Sequence, residues 1–157
     1  MIDLTGIGSG PTSTPKHGQR PRFHLAFPVH DLAAARAFYA GLMACPEGRS
    51  SSSWIDFDLF GHQIVAHLAP DECMPADTSS VDGKSVPVRH FGLILEWQEW
   101  EALAERFRRA GTPFVIEPYV RFQGQPGEQG TFFVRDPSGN ALEFKTFRDI
   151  DAHVFAR

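Results

Sequence analysis

Three residues that commonly bind metals recur at related places in the sequence. His24 and His90 each begin a segment of alternating bulky and small residues, and each is followed two positions later by a small residue, Ala26 or Gly92. Glu143 lies in the last segment of this kind. Since side chains at i and i+2 share one face of a strand, the small neighbours leave room beside each imidazole. Two imidazoles and a carboxylate form the facial triad that suits Fe(II) and leaves positions open for substrate and oxygen.

The same three ligands suit other divalent metals as well. Mn(II), Ni(II) and Zn(II) are alternatives to the favoured Fe(II), because affinity alone does not select the metal. His67 occupies a place in the first half of the chain that we expect to correspond to Glu143. It would be either a fourth ligand, which favours Lewis-acid chemistry, or a proton shuttle beside the metal. His62 is a second acid–base candidate. It lies an odd number of positions from His67, so the two side chains point to opposite faces of the strand and one of them faces away from the site.

A long loop in the second half provides candidates for substrate contact. The loop from Arg121 to Gly130 is either a lid over a substrate or a solvated hairpin. Tyr119 and Arg121 are suited to hydrogen-bonding a phenol or clamping an anion.

The elements that must position these residues occur twice. A strand over residues 23–29 precedes a helix that Asp31 would cap, and two or three strands follow. The order returns after residue 88 as a strand, an amphipathic helix that ends at Gly111, and three strands. We expect one domain over residues 22–147, divided into module one (22–69), a linker (70–87) and module two (88–147). Residues 1–21 are expected to form a flexible arm and residues 148–157 a tail.

Composition excludes several classes of function. The chain of 157 residues carries a formal net charge of −4, which argues against a nucleic-acid partner. No apolar run reaches the roughly 20 residues that cross a bilayer, and the first residues lack the apolar stretch of a secretory signal. Cys45 and Cys73 are too few for a disulfide framework. These features favour a cytoplasmic location without a membrane partner.

Two sequence segments carry a family resemblance that extends over about residues 22–147. HLAFPVHDLAAARAFY, from residue 24, and DPSGNALEF, from residue 136, resemble the vicinal oxygen chelate superfamily, which includes glyoxalase I, bleomycin-resistance proteins and extradiol dioxygenases. The resemblance implies an α+β fold in which two βαβββ modules form a cupped, barrel-like mixed sheet with helices outside. It also implies a divalent metal on the inner face, with His24, His67, His90 and Glu143 at the ligand positions.

Two longer segments look closest to a bacterial group of extradiol-dioxygenase-like proteins. They are WIDFDLFGHQIVAHL, from residue 54, and PGEQGTFFVRDPSGNALEFK, from residue 126. The resemblance implies an Fe(II)-dependent oxidoreductase that cleaves a small vicinal dihydroxy or enolisable substrate with O₂. Extradiol enzymes usually carry a catalytic Tyr six residues before the turn glycine, and this chain has Phe133 there.

Two other functions fit the same pattern. One is a glyoxalase-like lyase or isomerase, in which a metal polarises the substrate without redox chemistry. The other is a drug-sequestering protein that binds a small molecule without a metal. We expect a homodimer, although the modules could close a cup either within one chain or by exchange between two chains.

Overall fold

The computed structural model of the chain describes residues 20–74, 77–81 and 83–156. The first 19 residues of the predicted arm lie outside these ranges. Module one contains the strands β1 (His24–Val29), β2 (Glu47–Ser50), β3 (Trp54–Leu59) and β4 (His62–Leu68), and the helix α1 (Leu32–Arg36), which continues as a π-helical segment over Ala37–Leu42. The Asp31 carboxylate accepts the backbone N–H of Ala34 at 2.7 Å, which confirms the predicted helix cap.

The described residues of the linker contain secondary structure that the sequence does not predict. A short 3-10 turn over Pro70–Glu72 leads to a hairpin of two strands, β5 (Thr78–Val81) and β6 (Lys84–Pro87). Prolines and serines conceal this hairpin in the sequence, because its strands lack the alternation that marks a half-buried strand. Three of the four β5 residues are serine or threonine, and all four are exposed.

Module two repeats the order of module one. It contains β7 (His90–Ile94), α2 (Trp97–Arg109), β8 (Phe114–Arg121), β9 (Gln129–Arg135) and β10 (Ala141–Phe147), and a short helix, α3 (Ile150–His153), follows in the expected tail. Within the described residues, none of the helices is both long and apolar enough to span a bilayer.

Each module forms its own four-stranded mixed sheet. The strand order is β1-β4-β3-β2 in module one and β7-β10-β9-β8 in module two. In each sheet the first strand pairs in parallel with the last strand of its module. The predicted α+β class is confirmed, but the strands described here do not close into one barrel. The strands that begin with His24 and His90 are therefore both sheet edges.

The two faces of each sheet have different surroundings. One face packs against the helices, where side chains of β1, β4, β9 and β10 share a core with α1 and α2. We call the opposite face of each sheet its cup face. Alternation places His24 and Gln63 on the cup face of module one, and His90 and Glu143 on that of module two.

One buried and one partly buried hydrogen bond join the two modules. The hydroxyl of Tyr39 donates to Asp136 Oδ2 at 2.9 Å, and the side-chain amide of Asn140 donates to the carbonyl of Pro28 at 2.8 Å. Burial raises the pKa of Tyr39 well above its usual value, and the Asp136 charge raises it further. Tyr39 therefore remains a neutral donor at any physiological pH.

Candidate metal centre

The edge of module two brings two of the predicted ligands together. His90 Nε2 lies 3.0 Å from Glu143 Oε2, and the side chains are 29% and 17% exposed. The parallel register makes this contact possible, since Ala141 pairs with His90 and Glu143 pairs with Gly92. A side chain on Gly92 would overlap the backbone of Glu143. A glycine at position 92 therefore permits the close approach of β7 to β10.

Neighbouring groups orient both members of the pair. His90 Nδ1 lies 2.6 Å from the carbonyl oxygen of Pro87. Because a carbonyl oxygen only accepts hydrogen bonds, Nδ1 carries the proton and the neutral ring presents an Nε2 lone pair. The hydroxyl of Thr131 donates to Glu143 Oε1 at 2.8 Å. Such outer contacts commonly fix the orientation of metal ligands.

The distance within the pair fits a shared divalent metal. Ligand atoms that each lie about 2.1 Å from one ion, at right angles to each other, are about 3.0 Å apart. His90 Nε2 and Glu143 Oε2 have this separation. The same atoms form an ion pair when the imidazole is protonated. The donor set of imidazole nitrogen and carboxylate oxygen suits Fe, Mn, Ni or Zn.

His24 lies on the other module and does not join this pair. Its Nδ1 is 2.8 Å from Gln63 Oε1, and it lines a cavity of about 470 Å³ with Gln63 and Asp56. His90 borders a separate cavity of about 350 Å³. Among the described residues of one chain, no three His, Cys, Asp or Glu side chains are grouped for metal binding. The predicted triad is thus divided between the cup faces of the two modules.

The strand register corrects the expected equivalence of His67 and Glu143. In module one, His24 pairs with Gln63 and Ala26 pairs with Val65. Since Glu143 pairs with the residue two positions after His90, its counterpart in module one is Val65. His67 pairs instead with Pro28, about 13 Å along the strand from the row of His24. Counting four residues from the turn glycines, Gly61 and Gly139, would have given this answer.

His62 supports the strand that carries His24. It lies on the opposite face of β4 from Gln63, and its Nδ1 accepts a hydrogen bond from the backbone N–H of Phe23 at 3.0 Å. The structure therefore places His62 against the start of β1.

Tyr119 and Arg121 lie on β8, the edge strand farthest from β7 in the sheet that holds Glu143. Tyr119 is paired with Thr131, and Arg121 with Gln129. Paired residues point to the same side of a sheet, so Tyr119 shares a face with the Thr131 hydroxyl that contacts Glu143. The ammonium of Lys84 lies 4.6 Å from the centre of the Tyr119 ring. A side chain of the linker hairpin therefore contacts this part of the cup face.

Phe133 packs beside the pair where a hydroxyl would be expected in an extradiol dioxygenase. It is the cross-strand neighbour of Glu143, and its ring meets that of His90 edge-on at 5.1 Å. It is 2% exposed. The wall of the site next to His90 is therefore apolar.

Sequence reasoning missed three polar residues that support the candidate ligands: Thr131, Gln63 and Asp56. In a strand with one buried face, a polar residue ordinarily indicates a solvent-facing position. Thr131 and Asp56 are nevertheless only 7% exposed. The signal that could have identified them is hairpin register, which places Thr131 diagonally across from Glu143.

Comparison with known proteins identifies the family. The model of the Glyoxalase/Bleomycin resistance protein/Dioxygenase superfamily matches residues 22–144, and the chain belongs to that superfamily. This finding confirms the resemblance to the vicinal oxygen chelate proteins. A comparison with the curated proteins finds no match.

Solved structures show the same fold. A glyoxalase/bleomycin resistance protein/dioxygenase from Alicyclobacillus acidocaldarius is 34% identical with a TM-score of 0.67, and the match covers 83% of this chain and 94% of that one. The fosfomycin resistance protein FosX from Listeria monocytogenes is 18% identical over 82% of this chain and 93% of its own, with a TM-score of 0.63. A lactoylglutathione lyase from Agrobacterium tumefaciens is 19% identical over 82% and 95%, with a TM-score of 0.56.

Proposed function

We propose that the protein is a metal-dependent enzyme whose ligands are His24, His90 and Glu143, with Fe(II) the favoured metal and a dioxygenase the favoured activity. When bound, Fe(II) supplies the redox chemistry and open coordination positions that an extradiol cleavage needs. The favoured substrate is a small molecule with vicinal hydroxyl groups or an enolate. The chain's own residues bind the metal, exclude water on one side and hold two imidazoles in the binding tautomer.

The observation that carries this proposal is the apolar residue at the fourth ligand position. Val65 occupies the place in module one that Glu143 occupies in module two. The side chain of valine cannot bind a metal, so the two modules together provide three protein ligands, His24, His90 and Glu143. A set of two His and one carboxylate with open positions is characteristic of non-haem Fe(II) oxygenases. A fourth ligand would instead favour a lyase or isomerase.

We further propose that two copies of the chain complete the site. His24 of one copy would join His90 and Glu143 of the other, because one chain holds these residues on separate cup faces. Both histidines begin edge strands, so neither is enclosed between two strands of its own sheet.

Exposed apolar side chains beside both half-sites support association. Phe23 is 59% exposed, Val88 is 57% exposed and Ile94 is 43% exposed. Phe23 and Val88 lie just before the two edge strands, and Ile94 ends β7. Exposed apolar groups flanking one site are typical of a surface that a partner covers. A second copy supplies the missing ligand, which an unrelated partner would not.

The same site supports a second candidate function. Phe133 gives the wall beside His90 no hydroxyl, and the register separates His67 from the row of His24. The acid–base groups expected for ring cleavage are therefore not beside the ligands. This arrangement favours a lyase or isomerase, in which Ni(II), Zn(II) or Mn(II) acts as a Lewis acid. In either reaction Tyr119 and Arg121 are proposed to contact the substrate.

Two measurements on purified protein distinguish these candidates. Metal analysis of protein prepared without added metal should give one ion per chain, and His24→Ala or Glu143→Ala should abolish it. Anaerobic loading with Fe(II), followed by oxygen uptake with a panel of catechols, should show iron-dependent consumption. Full metal binding without oxygen uptake would favour the lyase. Ligand binding that is independent of metal and of both substitutions would favour a sequestering protein.

We also propose a cytoplasmic location. Cys45 and Cys73 are both free thiols, and unpaired cysteines are typical of a reducing compartment.

A further inference from the structure

A chain of hydrogen bonds leads from His24 into module one. His24 Nδ1 lies 2.8 Å from Gln63 Oε1. Gln63 Nε2 donates to Asp56 Oδ2 at 3.2 Å. The guanidinium of Arg49 lies 3.7 Å from the same carboxylate. These contacts connect an exposed imidazole to Asp56, whose side chain is only 10% exposed.

The chemistry of each group fixes the direction of every bond. An ionised carboxylate only accepts hydrogen bonds, so Gln63 must turn its NH₂ group toward Asp56. The amide oxygen then faces His24, and an amide oxygen also only accepts. His24 Nδ1 must therefore carry a proton. In the neutral ring, this leaves the Nε2 lone pair available to a metal.

We propose that Asp56 and Gln63 are positioning residues that hold His24 in the tautomer that binds metal through Nε2. The inference rests on the proposed metal site and identifies two residues that act on it from outside the ligand set. Arg49 places a positive charge 3.7 Å from the Asp56 carboxylate.

The arrangement has a counterpart at the other histidine. His90 reaches the same tautomer through the backbone carbonyl of Pro87 at 2.6 Å. A backbone carbonyl cannot turn, whereas a side-chain amide can. His24 therefore needs a second group to fix the amide, and Asp56 supplies it. Both candidate imidazole ligands are thus prepared to bind through the same nitrogen.

Substitution of the carboxylate should release the amide. Asp56→Asn preserves size but offers a donor as well as an acceptor, so Gln63 is free to turn its NH₂ group toward His24. Nδ1 would then accept a hydrogen bond and Nε2 would carry the proton, which blocks the metal-binding nitrogen. Gln63→Met removes the acceptor directly at similar length. Both variants should bind Mn(II) about 10- to 100-fold more weakly, the usual effect of losing an outer contact of a ligand.

A matched control lies on the same strand. Asp58 is two residues from Asp56 on β3, and its Oδ1 accepts the backbone N–H of Gly61. Asp58 pairs with Gln63 across the strands, but Gln63 Nε2 donates to Asp56, so Asp58→Asn makes the same chemical change and leaves that bond in place. It should leave both the His24 tautomer and Mn(II) affinity unchanged.

The decisive measurement is ¹⁵N NMR of the metal-free protein at a pH where imidazole is neutral, which shows which ring nitrogen of His24 carries the proton. The His24 signal is assigned by its loss in His24→Ala. The wild type and Asp58→Asn should show the proton on Nδ1. Asp56→Asn and Gln63→Met should shift it toward Nε2, and circular dichroism should confirm that they are folded. A wild-type proton on Nε2, or an unchanged tautomer in both folded variants, would overturn the proposal. The expected tautomers in a protein that binds no metal would overturn the proposed function and leave this inference intact.

Discussion

The hydroxyl of Thr131 offers a direct test of how Glu143, the proposed carboxylate ligand, is held. Thr131→Val removes the hydrogen bond to Glu143 Oε1, which is 2.8 Å long, while preserving the shape of the side chain. A hydrogen bond to a charged group contributes about 1.5–3 kcal/mol. The Glu143 side chain is 17% exposed, so water can replace part of the lost bond. The lower end of that range applies, and we expect Mn(II) affinity to fall about tenfold, or about 1.4 kcal/mol.

A serine at position 131 preserves the hydrogen bond to Glu143 and therefore provides the control. Thr131→Ser keeps the hydroxyl and loses only a methyl group, so it should bind Mn(II) nearly as well as the wild type. Affinities measured by competition with a chromophoric chelator would compare the three proteins. Equal weakening in the valine and serine variants would show that packing, not the hydrogen bond, holds Glu143. Unchanged affinity in the valine variant would refute the role of Thr131 altogether.

Two further substitutions test the framework that positions the site. Tyr39→Phe removes the donor to the buried Asp136 carboxylate. Urea denaturation should show that the free energy of unfolding falls by about 1.5–3 kcal/mol. A loss below about 0.5 kcal/mol, the lower end for hydrogen bonds in general, would contradict an important bond between the modules. Gly92→Ala places a methyl group against the backbone of Glu143 and should lower both the melting temperature and metal binding. Gly41→Ala, where an added Cβ would lie 4.0 Å from the carbonyl oxygen of Arg36, should affect neither. Equal behaviour of the two glycine variants would contradict the close approach of the strands.

The order of elements could be predicted because the sequence repeats it with clear periodicity. Alternation marked β1 and β7, Asp31 marked the start of α1, and a stripe of apolar residues marked α2. The linker hairpin could not be predicted, since its exposed strands have no buried face to impose a pattern. Its pairing depends on the turn at Gly83, whose φ is +72°.

The candidate ligands could be proposed from the repeat, but their arrangement could not be predicted. His90 and Glu143 follow from recurrence at strand positions. Val65, as the counterpart of Glu143, required counting from the turn glycine, because hairpin register depends on the turn rather than on residue type. The separation of His24 from the other two depends on how the modules pack, which no local pattern encodes. Gln63 resembles a solvent-facing residue until its register opposite His24 is known.

The central claim is that each metal site combines residues of two chains, and exchange between two inactive variants tests it most directly. His24→Ala and Glu143→Ala should each bind no metal alone. When the two are unfolded together and refolded, random pairing makes about half of the dimers mixed. Each mixed dimer contains one site with both substitutions and one intact site, so the mixture should regain about a quarter of wild-type metal capacity. A mixture that regains none, beside a refolded wild type that binds fully, would contradict the claim.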